Sequence, residues 1–74
     1  MAKYEISIDG GEGGEKIIVA ENLDAAKKEA VAWAKAGDWP QDRGDLWADV
    51  YVCNIDDEED SELISAQVAG EEVA

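Results

Sequence analysis

Two stretches place small or β-branched apolar residues at every second position, the first alternating strictly with polar ones, and this restricts the chain to a fold built around a sheet. In residues 3–9, Tyr4, Ile6 and Ile8 fall on one face, and Lys3, Glu5, Ser7 and Asp9 fall on the other. In residues 46–55, Ala48, Val50 and Val52 form an apolar face opposite Trp47, Asp49, Tyr51 and Cys53. A period of two is the signature of a half-buried strand, because successive side chains point to opposite sides of the pleat. The β-branched residues of 15–20 suit a second strand, joined to the first by the Gly-rich segment 10–14 as a hairpin. Residues 62–69, with Ile64, Ala66 and Val68 alternating against Leu63, Ser65 and Gln67, suit a fourth.

Between the strand pairs the period changes. Leu23, Ala26, Ala30, Trp33 and Ala34 recur at helical spacing, with Asn22 placed to cap the start, Asp24 in the first turn, Gly37 at the C′ position and Pro40 beyond it. The spacing predicts one helix over 23–36 and a polar loop over 38–45 that contains Trp39. The expected architecture is α+β in the order β-β-α-β-β, an antiparallel sheet of three to four strands with one helix on one face. A single domain over 1–74 follows, with 70–74 a frayed tail.

The core of such a domain is thin. A chain of this length buries only about 60% of its unfolded surface. Twelve of the apolar residues are Ala, Phe is absent, and Ile, Leu and Val together number fifteen, so three Trp and two Tyr must supply much of the packing volume.

Charge narrows the function classes. Nineteen Asp and Glu against six Lys and Arg give a net charge of −13, and there is no His. Binding to phosphate depends on Lys and Arg that release counterions, so neither nucleic acid nor an anionic membrane is expected as a direct ligand. One cysteine, Cys53, gives no intrachain disulfide and no Cys-based zinc site, and without a His to activate it the thiol reads as a strand residue. The Gly10–Gly14 segment lacks the Gly-Lys-Ser/Thr ending of a phosphate loop and carries a carboxylate. A carboxylate pair for hydrolysis needs a cleft that a one-helix domain this small does not make, so no catalysis and no cofactor are expected. Residues 1–20 show no signal-peptide pattern and no apolar run approaches 18 residues, so a cytoplasmic location is expected.

The charge is also polarised. No basic residue follows Arg43, and residues 44–74 hold ten acids, including the run Asp56, Asp57, Glu58, Glu59 and Asp60, expected as a turn, and Glu62 after it. Three readings remain open for this run. It is a solvated tip that blunts a sheet edge; or a calcium-binding hairpin, although the Gly and Glu positions of an EF-hand loop are unmet; or a set of carboxylates standing in for phosphates. Outward side chains recur every ~6.7 Å along a strand, so two staggered strands reach about one charge per 3.4 Å, the spacing along one DNA strand. Glu5, Asp9, Asp49, the 56–60 run and Glu62 are the candidate partner-binding carboxylates. Trp47 and Tyr51 either join them on the face left by a single helix or fold over an edge to complete the core.

In size, charge, carboxylate run and interleaved aromatics, the chain resembles the small acidic inhibitors of bacteriophages, the anti-restriction and anti-CRISPR proteins and other DNA mimics. That class shares no fold or diagnostic motif, so no residue roles transfer. The resemblance implies a non-enzymatic protein, in the host cytoplasm if phage-encoded. It would block a basic nucleic-acid-binding surface of a bacterial defence protein or complex.

Overall fold

The computed structural model describes residues 1–9, 14–37, 39–40 and 44–70. Four strands and one helix follow one another as β1 (Ala2–Asp9), β2 (Gly14–Ala20), α1 (Leu23–Lys35), β3 (Leu46–Asn54) and β4 (Asp57–Ala69). The strands form one antiparallel sheet in the order β2-β1-β3-β4. This is the α+β architecture that the alternation predicts. Of the segments expected as a hairpin turn over 10–14, a polar loop over 38–45 and a frayed tail over 70–74, residues 10–13, 38, 41–43 and 71–74 lie outside the described residues.

Register fixes the two faces. Tyr4 lies between Ile18 and Asn54, Ile6 between Lys16 and Val52, and Ile8 between Gly14 and Val50. Across β3, Val50 meets Ile64 and Ala48 meets Ala66. A shift of one residue would turn all these side chains to water, so the apolar set itself holds the pairing.

The helix covers this inner face and packs chiefly on β3 and β4. Asn22 starts it from an extended conformation, its Oδ1 accepting the Ala25 N–H at 2.9 Å. Ala26, Ala30 and Ala34 have no exposed surface, so the helix backbone approaches the sheet over a row of methyl groups. The volume that Phe would supply elsewhere comes from Tyr4 and Trp39, at 2% and 6% exposure. Trp39, read from the sequence as part of a polar loop, folds back under the helix end and donates Nε1–H to the Ala34 carbonyl at 2.6 Å. This gives Gly37 a different role from the one expected. Its φ is not positive; a Cβ there would stand 2.8 Å from the Trp39 indole nitrogen, so glycine admits the ring.

The acidic run also differs from the expectation. The turn consists of Ile55 and Asp56 alone, and β4 begins at Asp57 rather than at Glu62. Cys53 pairs with Ser61 while Asn54 pairs with Asp57, so Glu58, Glu59 and Asp60 form a three-residue bulge. Side-chain bonds stitch it together. Asn54 Oδ1 accepts the Asp56 N–H (2.9 Å), Asp57 Oδ1 accepts the Glu59 N–H (3.2 Å), and Ser61 Oγ donates to the Glu58 carbonyl (3.0 Å). Polar side chains that satisfy a bulge's freed backbone groups let the ladder break without orphaned donors.

Candidate functional site

The sheet face opposite α1 is uncovered among the described residues. Its positions follow from the pleat: Glu15, Ile17 and Val19 on β2; Lys3, Glu5 and Ser7 on β1; Trp47, Asp49, Tyr51 and Cys53 on β3; Ser61, Leu63, Ser65 and Gln67 on β4. Trp47 is 58% exposed, Tyr51 40% and Leu63 63%. The aromatics therefore do not complete the core, and five large apolar side chains, counting Ile17 and Val19, share this face with carboxylates. A solvated sheet face ordinarily alternates to polar residues, so such a cluster departs from the usual pattern.

The candidate residues divide between the two sides of the sheet. Glu5, Trp47, Asp49 and Tyr51 all occupy the open face, and the backbone of Asp9 pairs with Asp49 in the ladder. Asp56, Asp57, Glu58 and Glu59 are exposed at the turn and bulge. Asp60 and Glu62, in contrast, belong to the helix side. Asp60 Oδ2 accepts the Tyr4 hydroxyl at 2.8 Å and the Asn54 amide at 3.2 Å. Burial and this bond, which holds the phenol beside a carboxylate, push the Tyr4 pKa above its ordinary value. Glu62 receives the Lys27 ammonium at 2.7 Å, and the bond raises the Lys27 pKa against the smaller opposing effect of desolvation. Glu62 is in phase with Ile64 and Ala66 on the inner face of β4, and Asp60 reaches the same side from within the bulge.

Charge on the open face is sparser than two staggered strands would give. Glu5 faces Cys53, and Ser7 and Tyr51 separate it from the Asp9–Asp49 pair. Asp49 is fixed by Ser65, whose Oγ donates to Oδ1 at 3.0 Å. Gln67, beside Trp47, is turned down to Asp45 (3.3 Å) and the Ala69 carbonyl (3.1 Å) and is nearly buried. At the β1–β2 margin, Glu5, Glu15, Lys16 and Ile17 line a shallow groove of about 290 Å³. The Lys16 ammonium sits 5.6 Å from the centre of the Trp33 ring, drawn over an aromatic that packs beside Gly14. Cys53 is half-buried, its thiol donating to the Asn54 carbonyl at 3.5 Å. Among the described residues no three carboxylates or thiols converge to hold a metal ion, and no helix is long and apolar enough to cross a membrane.

Sequence reasoning misses Leu63, Ile17 and Val19 as members of this face. The signal was the alternation itself: once Tyr51 points outward, its ladder partner Leu63 must do so too. No family model, curated protein or solved structure matches the chain.

Proposed function

We propose that this protein is a non-enzymatic inhibitor that occupies a basic nucleic-acid-binding surface on another protein, in the manner of phage anti-restriction or anti-CRISPR DNA mimics. The observation that carries the reading is the uncovered sheet face, where Trp47, Tyr51 and Leu63 stand exposed beside Glu5 and Asp49 in a chain of net charge −13. Aromatic residues at the centre supply desolvated contact area, and carboxylates around them select a cationic partner and speed encounter. The exposed acids Asp56, Asp57, Glu58 and Glu59 extend the negative field beyond the face.

The test is competition with duplex DNA for a panel of bacterial restriction nucleases and RNA-guided effectors, followed by gel mobility at 50 and 500 mM salt. The expected result is loss of DNA binding by at least one of them, with the block weakening at high salt as charge is screened. Combined Asp57→Lys, Glu58→Lys and Glu59→Lys should abolish the block. Inhibition unchanged by this triple reversal would remove the bulge from the mechanism, and a panel with no inhibited member would overturn the reading.

A further inference from the structure

We propose that the open face recognises arginine in particular, with Asp49 as the carboxylate that receives the guanidinium and Trp47 and Tyr51 as the rings that flank it. The inference rests on the basic-partner reading and names the chemistry of its contact. Residues 47, 49 and 51 are consecutive outward positions on β3, ~6.7 Å apart along the strand. A planar group seated on Asp49 therefore has an aromatic side chain within reach on each side.

The neighbours keep this row accessible. Across the ladder from Asp49 stands Ser65, and Tyr51 is flanked by Ser7 on β1 and Leu63 on β4. Gln67, the neighbour of Trp47, is held down against Asp45 and the Ala69 carbonyl. Ser7, Ser65 and the lowered Gln67 keep those sides of the rings low, while Leu63 stands exposed beside Tyr51. Ser65 orients the Asp49 carboxylate through one oxygen and leaves lone pairs on both for an incoming donor fork. Among the described residues no ammonium or guanidinium lies within ion-pair distance of Asp49. Lys3, the one cation on this face among them, is at the other end of β1.

Arginine suits this row better than lysine does. Guanidinium is planar, weakly hydrated and able to stack on an aromatic face while it bonds a carboxylate with two N–H groups. Lysine offers a compact, strongly hydrated charge that gains less from the rings. Leu63 beside Tyr51 adds apolar ground for the methylene stem of an arginine side chain. The net charge of −13 disfavours a second copy of this chain as occupant and favours a cationic one.

Hexa-arginine and hexa-lysine peptides carry equal charge and separate this inference from general electrostatics. Titrated into the full chain at fixed salt and followed by tryptophan fluorescence and amide NMR shifts, hexa-arginine should bind about fivefold to thirtyfold tighter. The largest shifts should fall on Trp47, Asp49 and Tyr51. Trp47→Ala and Tyr51→Ala alter exposed side chains, and each should lower arginine affinity toward the lysine value while leaving lysine affinity unchanged. Equal affinity for both peptides, or shifts confined to residues 56–59, would overturn the arginine site and leave the acidic-protein reading standing. Failure of both peptides to bind would overturn the two together.

Discussion

At the scale of single residues, a 2.8 Å hydrogen bond joins the sheet to its own bulge. Tyr4 is almost fully buried, yet its hydroxyl reaches Asp60, so the phenol both fills core volume and anchors the acidic segment. Replacing Tyr4 by Phe keeps the ring and removes the donor, leaving Asp60 with the Asn54 amide alone. The expected outcome is a melting temperature lowered by several degrees, with amide exchange accelerated in residues 57–60. Burial of the phenol, with the same bond, gives stability an alkaline limit. The folded protein holds the Tyr4 proton more tightly than the unfolded chain, and the same is true of Lys27 beside Glu62. Their contributions are complete below the ordinary values of 10.0 and 10.5 and are lost as pH rises through the higher folded values. Urea titrations across this range should therefore show stability falling with pH above 10, less steeply in Tyr4→Phe. An equal slope in both proteins would assign the loss to Lys27 and to other groups.

Among the elements, the helix shows how far small side chains can decide a fold. Ala26, Ala30 and Ala34 bury completely because the backbone of α1 lies close to the sheet, and this approach depends on their size. Ala30→Leu should cost about 1–3 kcal/mol by overpacking. Ala32→Leu, on the exposed side of the same helix, should stay within about 0.5 kcal/mol of the parent. Urea midpoints for the two variants check this, and similar losses would mean that helix propensity rather than packing sets the value. The helix was legible in the sequence because its caps and its 3.6-residue period are local signals, and the strands were legible through their alternation. The start of β4 was not, because five consecutive acids carry no period and the bulge depends on Asn54, Asp57 and Ser61 bonding to backbone groups. Alternation puts Trp47, Asp49 and Tyr51 on one face of β3 but leaves open whether the two aromatics are exposed, and Asp60 and Glu62, grouped with them as partner-binding carboxylates, lie on the other side. Trp39 counts toward the packing volume in the sequence but its seat was not legible, because its burial depends on Gly37 and on the Ala34 carbonyl at the end of α1, which only tertiary structure brings together.

For the molecule as a whole, the balance between field and fold sets the working conditions. The chain carries thirteen net negative charges on a body with a radius of gyration of 12.4 Å. Among the described residues the ion pairs all involve Lys27, and Lys16 is engaged with Trp33, so most carboxylates are balanced only by solvent ions. At 0.01 M salt the screening length of about 30 Å exceeds the two shorter extents of the molecule, 18 and 16 Å, and approaches the longest, 39 Å, so repulsion reaches across most of the surface. At 0.1 M it falls to about 10 Å, less than the radius of gyration, and only neighbours still interact. Stability should therefore rise with salt while affinity for a cationic partner falls, and the two should move in opposite directions over the same concentrations. The melting temperature between 10 and 300 mM sodium chloride should climb by several degrees. A neutralised variant, Asp57→Asn with Glu58→Gln and Glu59→Gln, should start higher and climb less, because these three consecutive exposed acids repel one another. A flat or falling curve for the parent would show that the folded surface spaces its carboxylates no closer than the unfolded chain does. The fold would then bear no electrostatic cost for presenting them to a partner.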